Sequence, residues 1–178
     1  LLNRGIRYLK NRGYEVRIGK FVHENTGYLA GKDTDRVNDF HNMLSDPLIK
    51  AIFFARGGYG SLRLLPLIKY NLIRKNPKLL VGYSDITALQ FAILRKSGLI
   101  TFSGPMAAVE FGAPKVNKVT EDHLWSVLSG EEKANDLYKY SSGRLNTLHP
   151  GRAKGPVICG CLTVIASCAG TRYFPDFT

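Results

Sequence analysis

The stretch Leu79-Leu80-Val81-Gly82-Tyr83-Ser84-Asp85-Ile86-Thr87 constrains this chain more than any other. It begins as a short apolar strand and ends as the start of a helix, with a serine on the turn between them. Such an elbow pushes the serine oxygen beyond the carboxyl edge of a sheet. It also turns the first helical N–H groups toward the same point. Gly82 lets the turn close without a Cβ clash. Asp85 or Thr87 suits the first turn of the following helix. Two readings of this turn stand side by side. Ser84 is a presented nucleophile, or Ser84 or Asp85 caps a helix after a strand. The usual elbow has a glycine two residues after the serine, and Ile86 stands there instead, so the pattern is half met.

Upstream, Leu2, Ile6 and Leu9 recur at helical spacing, and Gly13 stops the helix. Residues 14–18 alternate and predict a strand. Residues 21–32 form a loop. Asp33 or Thr34 caps a helix over Val37, Phe40, Met43 and Leu44, which Asp46-Pro47 ends. Residues 51–55 read as a buried strand, with Arg56-Gly57-Gly58-Tyr59-Gly60-Ser61 at its carboxyl end. Leu62, Leu65 and Ile68 continue as a helix or turn distorted at Pro66. After the elbow, a helix runs over Leu89, Ala92, Ile93 and Arg95 to Gly98, and residues 99–102 are a fourth strand. This alternation predicts an α/β fold with right-handed crossovers and a mostly parallel sheet flanked by helices. Ligands of such sheets sit beyond the carboxyl ends of the strands. Gly58 and Ser84 share that edge.

Thr120 caps a helix over Leu124, Val127 and Leu128. Residues 131–155 are polar and rich in Gly, Ser, Asn and Lys, as a linker is. Residues 156–169 open a new, buried unit. The expected organisation is a nucleophile-bearing α/β domain over 1–130, a linker over 131–155 and the start of a C-terminal domain over 156–178. Leu1 opens directly into a helical pattern, so the N-terminus reads as a cut edge.

The net charge of +11 admits a polyanionic partner. The lysines and arginines are scattered over helix faces and loops, however, which favours a solvated basic surface over a nucleic-acid groove. Such a surface also speeds encounter with small anionic substrates. The longest nearly apolar run, residues 157–169, is too short for a bilayer of about 30 Å. Cys159, Cys161 and Cys168 have no second pair or nearby histidine for zinc. They read as reduced, buried thiols in a reducing compartment.

The glycines of the Gly57-Gly58-Tyr59-Gly60 loop allow its backbone N–H groups to cradle an anion, and a simple tight turn fits the same residues. A serine nucleophile needs a base. His23, His41, His123 and His149 all lack a placement that recommends them, and Glu110 and Asp176 have no obvious partner. A complete triad is not visible.

Taken together, these residues resemble the LD-carboxypeptidases, serine peptidases of the S66 type. Ala30-Gly31-Lys32-Asp33 with Arg36 is similar to the family's A-G-x-D-x-x-R segment. Arg56-Gly57-Gly58-Tyr59-Gly60 resembles its glycine loop, and residues 82–89 its nucleophile segment. Residues 101–106 resemble the strand and turn that follow. Cys159-Gly160-Cys161-Leu162-Thr163, Ser167 and Gly170-Thr171 resemble the opening of its second domain, with Cys161 where the family tends to have asparagine.

The resemblance implies a Rossmann-like three-layer N-terminal domain with Ser84 as nucleophile. It implies an oxyanion hole from the backbone N–H groups of Gly58 and Asp85, and substrate contacts from Arg56, Gly57 and Tyr59. The triad's glutamate and histidine come after Thr178 in the family's order, and its first strand before Leu1. Further implications are release of D-alanine from murein tetrapeptides in cell-wall recycling, a homodimer in the cytoplasm, and no metal, cofactor, nucleic acid or membrane. The related microcin C immunity branch cleaves a peptidyl-nucleotide amide instead. A binding fragment without turnover is the further alternative.

Overall fold

The computed structural model describes residues 1–131, 148–152 and 154–176. Its centre is a parallel sheet of three short strands, β1 (Ala51–Phe53), β2 (Leu79–Gly82) and β3 (Phe102–Ser103), in that order. Ala51, Ile52 and Phe53 pair with Leu79, Leu80 and Val81, and Val81 and Gly82 with Phe102 and Ser103.

Strand side chains alternate between faces, and the two apolar clusters follow that alternation. Ile52 and Leu80 pack with α2 (Asp33–Ser45), α3 (Ser61–Leu64), α4 (Tyr70–Lys75) and α5 (Thr87–Ser97). Phe53 and Val81 pack on the other face with α1 (Leu2–Asn11) and α6 (Lys118–Ser129), through Leu9, Phe111, Leu124 and Trp125. The result is the expected three-layer arrangement. Helix α5 is buried at every position from Thr87 to Ile93, as befits a helix enclosed by neighbours rather than an amphipathic surface helix. Gly98, at φ 72°, ends it as expected.

Several expectations change. Residues 14–18 are extended but join no ladder. They line an open cleft together with β1. Alternating Tyr14, Val16 and Ile18 suit a strand, but a strand also needs a neighbour, and here Val16 packs on the core and Tyr14 stacks on Trp125 at its rim. The strand expected at 99–102 shifts to β3, because Ile100 is 75% exposed. Neither Asp33 nor Thr34 caps α2. The cap position is Lys32, and the Asp33 carboxylate faces Arg36 and Arg63 instead. Helix α6 is capped by Asn117, whose side chain accepts the N–H of Thr120 at 3.1 Å. Helix α4 has no counterpart in the sequence reading.

The unit after residue 156 is not buried as expected. Leu162, which opens α7 (Leu162–Cys168), is 79% exposed, and within α7 only Cys168 is buried. Cys159 is exposed and Cys161 half-buried, so the three free thiols do not share one buried setting. Beyond α7, Tyr173 packs near Tyr70 and Phe174 near Phe91. Most of the expected linker, residues 132–147 and 153, lies outside the described residues. No helix among the described residues is long and apolar enough to cross a membrane.

His41 has a structural task. Its Nε2 accepts the backbone N–H of Lys69 at 3.0 Å. Burial, and then the charge of Lys69, hold its pKa below the ordinary 6.5. The folded state therefore binds this proton more weakly than the unfolded state does. The contribution is complete above the ordinary pKa and lost as pH falls through the folded value. Urea denaturation between pH 7 and 5 should show stability falling by under about 1 kcal/mol, a small step because the imidazole is partly in solvent. His41→Ala should remove that step.

Candidate active site

Tyr83 is extended, at φ −152° and ψ −169°, and Ser84 then turns to φ 62°. Ser84 is the only non-glycine residue with positive φ among the described residues. A left-handed L-residue costs about 1–2 kcal/mol and persists only where its surroundings hold it. A short 3-10 turn, Ser84–Ile86, then leads into α5.

The surroundings that hold the elbow are identifiable. The Tyr83 hydroxyl donates to Glu110 Oε1 at 2.7 Å, and the Met106 N–H donates to Oε2 of the same carboxylate at 2.9 Å. The bond to Glu110, with burial, pushes the Tyr83 phenol pKa up. Gln90 Nε2 donates to the carbonyls of Gly82 and Phe102, both at 3.0 Å, and joins the carboxyl ends of β2 and β3. Gly82 contributes as expected, by leaving no Cβ in the turn's way. The turn's positive φ is at Ser84, while a Cβ on Gly82 would stand 3.0 Å from the Phe54 ring and 3.2 Å from Ile86 Cγ2. It is a glycine because neighbours press on it.

Neither Ser84 nor Asp85 caps the helix, since no side-chain hydrogen bond caps the 3-10 turn or α5. The Ser84 hydroxyl makes no hydrogen bond among the described residues. The Asp85 carboxylate reaches back to accept the N–H of Ser61 at 2.9 Å. Thr87 is also not a cap. Its buried hydroxyl accepts the N–H of Cys161 at 3.1 Å, which seats the segment before α7 against the elbow.

The glycine loop meets the serine directly. A Cβ on Gly57 would lie 3.1 Å from Ser84 Cβ, 3.3 Å from its Oγ and 3.4 Å from the backbone nitrogen of Asp85. Gly58 and Gly60 have φ 122° and 110°, values that L side chains rarely adopt. Arg36 Nη1 donates to the Gly60 carbonyl at 3.4 Å and faces Asp33 at 3.5 Å, while Arg63 Nε donates to Asp33 at 2.8 Å. This ties the loop to the start of α2. Tyr59 is 63% exposed, and its ring meets that of Tyr28 edge-on at 5.6 Å between centroids. Arg56 is exposed and makes no hydrogen bond or ion pair among the described residues.

Ser84, Asp85 and Gly57 thus converge on one point, with Gly58, Tyr59 and Arg56 on the same loop. The histidines do not join them. His23 and His149 are exposed, His41 serves α4, and His123 belongs to α6 on the opposite face of the sheet. None is hydrogen-bonded to Ser84. The reading found no partner for Glu110 and did not single out Gln90. A glutamine amid the apolar run of α5 was the available signal for Gln90, whereas nothing local marks Glu110. No group of three or more His, Cys, Asp or Glu among the described residues is placed to hold a metal ion.

The model of the LD-carboxypeptidase N-terminal domain matches residues 1–104. A Bacillus subtilis protein named as a probable murein peptide carboxypeptidase is 37% identical over 175 residues, 98% of this chain and 54% of that protein. The crystal structure of an MccF-like protein from Bacillus anthracis superposes with a TM-score of 0.85 at 32% identity, covering 98% of this chain and 58% of that one. The muramoyltetrapeptide carboxypeptidase of Oxalobacter formigenes superposes with a TM-score of 0.83 at 28% identity, over 99% of this chain and 57% of that one. The chain spans about half the length of the curated relatives it matches.

Proposed function

Because the chain belongs to the LD-carboxypeptidase family, we propose that it carries the nucleophile of a serine-type LD-carboxypeptidase that releases D-alanine from murein tetrapeptides. The observation that carries this reading is Ser84, left-handed, without a hydrogen bond among the described residues and in contact range of the glycine loop. A helix-capping serine would have neither feature.

In this reaction Ser84 Oγ attacks the carbonyl of the bond between the L-centre and the terminal D-alanine. Its proton passes to a histidine. The backbone N–H groups of Gly58 and Asp85 hold the negative oxygen that forms, each such donor contributing on the order of 3 kcal/mol. The bond to D-alanine then breaks, and the histidinium returns the proton to the leaving amine. Water, deprotonated by the same histidine, cleaves the ester and frees Ser84. The base in this reading is a histidine oriented by a glutamate, as in the family the sequence resembles. Arg56, which has no ion pair among the described residues, offers a cation for the substrate's terminal carboxylate, Gly57 leaves room beside the scissile carbonyl, and Tyr59 walls the site. The rest of the reading is a cytoplasmic homodimer that uses no cofactor.

The similarity to an MccF-like structure favours a second reading, cleavage of a peptidyl-nucleotide amide. Both substrates should be offered to the intact protein, with D-alanine and free nucleotide as readouts. We expect kcat/KM for the tetrapeptide to exceed that for the peptidyl-nucleotide by at least about 100-fold, or about 2.7 kcal/mol. The opposite preference would overturn the murein assignment.

A further inference from the structure

The Asp85 side chain has an unusual position for a carboxylate. It is 9% exposed and makes no ion pair among the described residues. Its hydrogen-bond donor is the Ser61 N–H at 2.9 Å, 24 residues away in sequence. Burial without a cation is costly for a carboxylate. Cys168 of α7 lies close enough that the negative charge of Asp85 adds to the upward push of burial on its thiol pKa. A helix-capping task is absent, because α5 has no side-chain cap.

The link the carboxylate does make joins two halves of one site. Asp85 directly follows the elbow serine. Ser61 is the first residue of α3 and directly follows the glycine loop. The loop's other end is anchored through the sheet, where the Phe54 N–H donates to the Val81 carbonyl at 3.0 Å and the Ala55 carbonyl accepts the Ala108 N–H at 2.7 Å. Between these anchors run three glycines, two of them at strongly positive φ. Glycines lose more conformational freedom on ordering than any other residue. A charge-assisted bond is among the stronger single ties available at the loop's far end.

We propose that the Asp85 carboxylate is a positioning residue, which holds the Gly57–Gly60 loop against the Ser84 elbow through the Ser61 N–H and so fixes the two oxyanion donors relative to each other. This rests on the peptidase reading for its effect on rate, but not for its effect on the loop. The carboxylate touches neither substrate nor reacting atoms. It acts through backbone placement, so its removal slows the chemical step more than it weakens substrate binding.

The test compares the intact parent with Asp85→Ala and Asp85→Asn. It measures kcat and KM for D-alanine release from a murein tetrapeptide, melting temperature, and hydrogen exchange of the amides at 57–61. Asp85→Ala should lower kcat by about 30-fold or more with KM within about 3-fold, and should speed exchange across the loop by at least about 10-fold. Asp85→Asn keeps an oxygen that accepts the same N–H, so it should retain loop protection and kcat within about 5-fold. A folded Asp85→Ala variant with kcat within about 3-fold of the parent, or with unchanged loop exchange, overturns the proposal. If the alanine variant does not fold, Asp85→Asn decides: protected and active supports the proposal, and folded but inactive overturns it. A parent that does not turn over the tetrapeptide contradicts the peptidase reading, while loop exchange still decides whether Asp85 holds the loop.

Discussion

Ser84→Gly should yield a protein that is more stable than Ser84→Ala and equally inactive. The serine sits at φ 62°, where any L side chain is strained and glycine is not. Alanine keeps the strain and removes only the hydroxyl. Glycine removes both, at the cost of a more flexible unfolded chain. The net difference should favour glycine by about 1 kcal/mol, or about 2–4 °C in melting temperature for a domain of this size. Both variants should lose at least about 1,000-fold in kcat, since removal of a nucleophilic hydroxyl leaves only binding and oxyanion stabilisation. Paired thermal melts and rate assays would show it. Equal melting temperatures for the two variants would mean that the elbow stores no strain.

Gly5→Ala has the largest expected effect on stability, and its sign runs against helix propensity. Inside a free helix, alanine improves on glycine by about 1 kcal/mol. Here Gly5, on α1, is buried against the segment that follows β3. An added Cβ would fall on the Ala107 carbonyl oxygen, with the carbonyl carbon 2.7 Å away. Both obstacles are backbone, so no side chain can rotate out of the way. Ala107 cannot retreat freely either, because its N–H donates to the Phe54 carbonyl at 3.1 Å. Helix α1 is held nearby as well, through Arg4 Nε donating to the Gly112 carbonyl at 2.7 Å and the Tyr8 hydroxyl donating to Glu121 at 2.7 Å. The expected loss is about 3 kcal/mol, at the upper end for overpacking. Urea denaturation of the variant beside the parent measures it. A variant as stable as the parent would show that α1 can shift away from the sheet.

The architecture was readable wherever one residue pattern implied one environment. Ile52 and Leu80 sit on one face of a covered sheet and Phe53 and Val81 on the other, and the continuous apolar runs say so. The elbow and the glycine loop were readable because strand ends set where the next residues go. Residues 14–18 misled because alternation reports a suitable strand and says nothing of whether a partner lies beside it. The apolar run after 156 misled because sequence records hydrophobicity and not what covers it. The cap at Asn117 was missed by three residues because Thr120 is also a good cap type, and Asp33 misled because the cap position of α2 falls on Lys32, whose side chain makes no capping bond. Asp85 and Glu110 were hardest to assign. Their partners, Ser61 and Tyr83, lie 24 and 27 residues away, a proximity that only the folded sheet edge creates.

The most direct test of the central claim is to quench the intact protein with acid during tetrapeptide turnover and map any covalent adduct by tandem mass spectrometry. The account predicts an acyl group replacing the Ser84 hydroxyl hydrogen, a net gain equal to the mass of the substrate less that of D-alanine, and no D-alanine release by Ser84→Ala. An acyl adduct on another residue, or unimpaired release by Ser84→Ala, would contradict it.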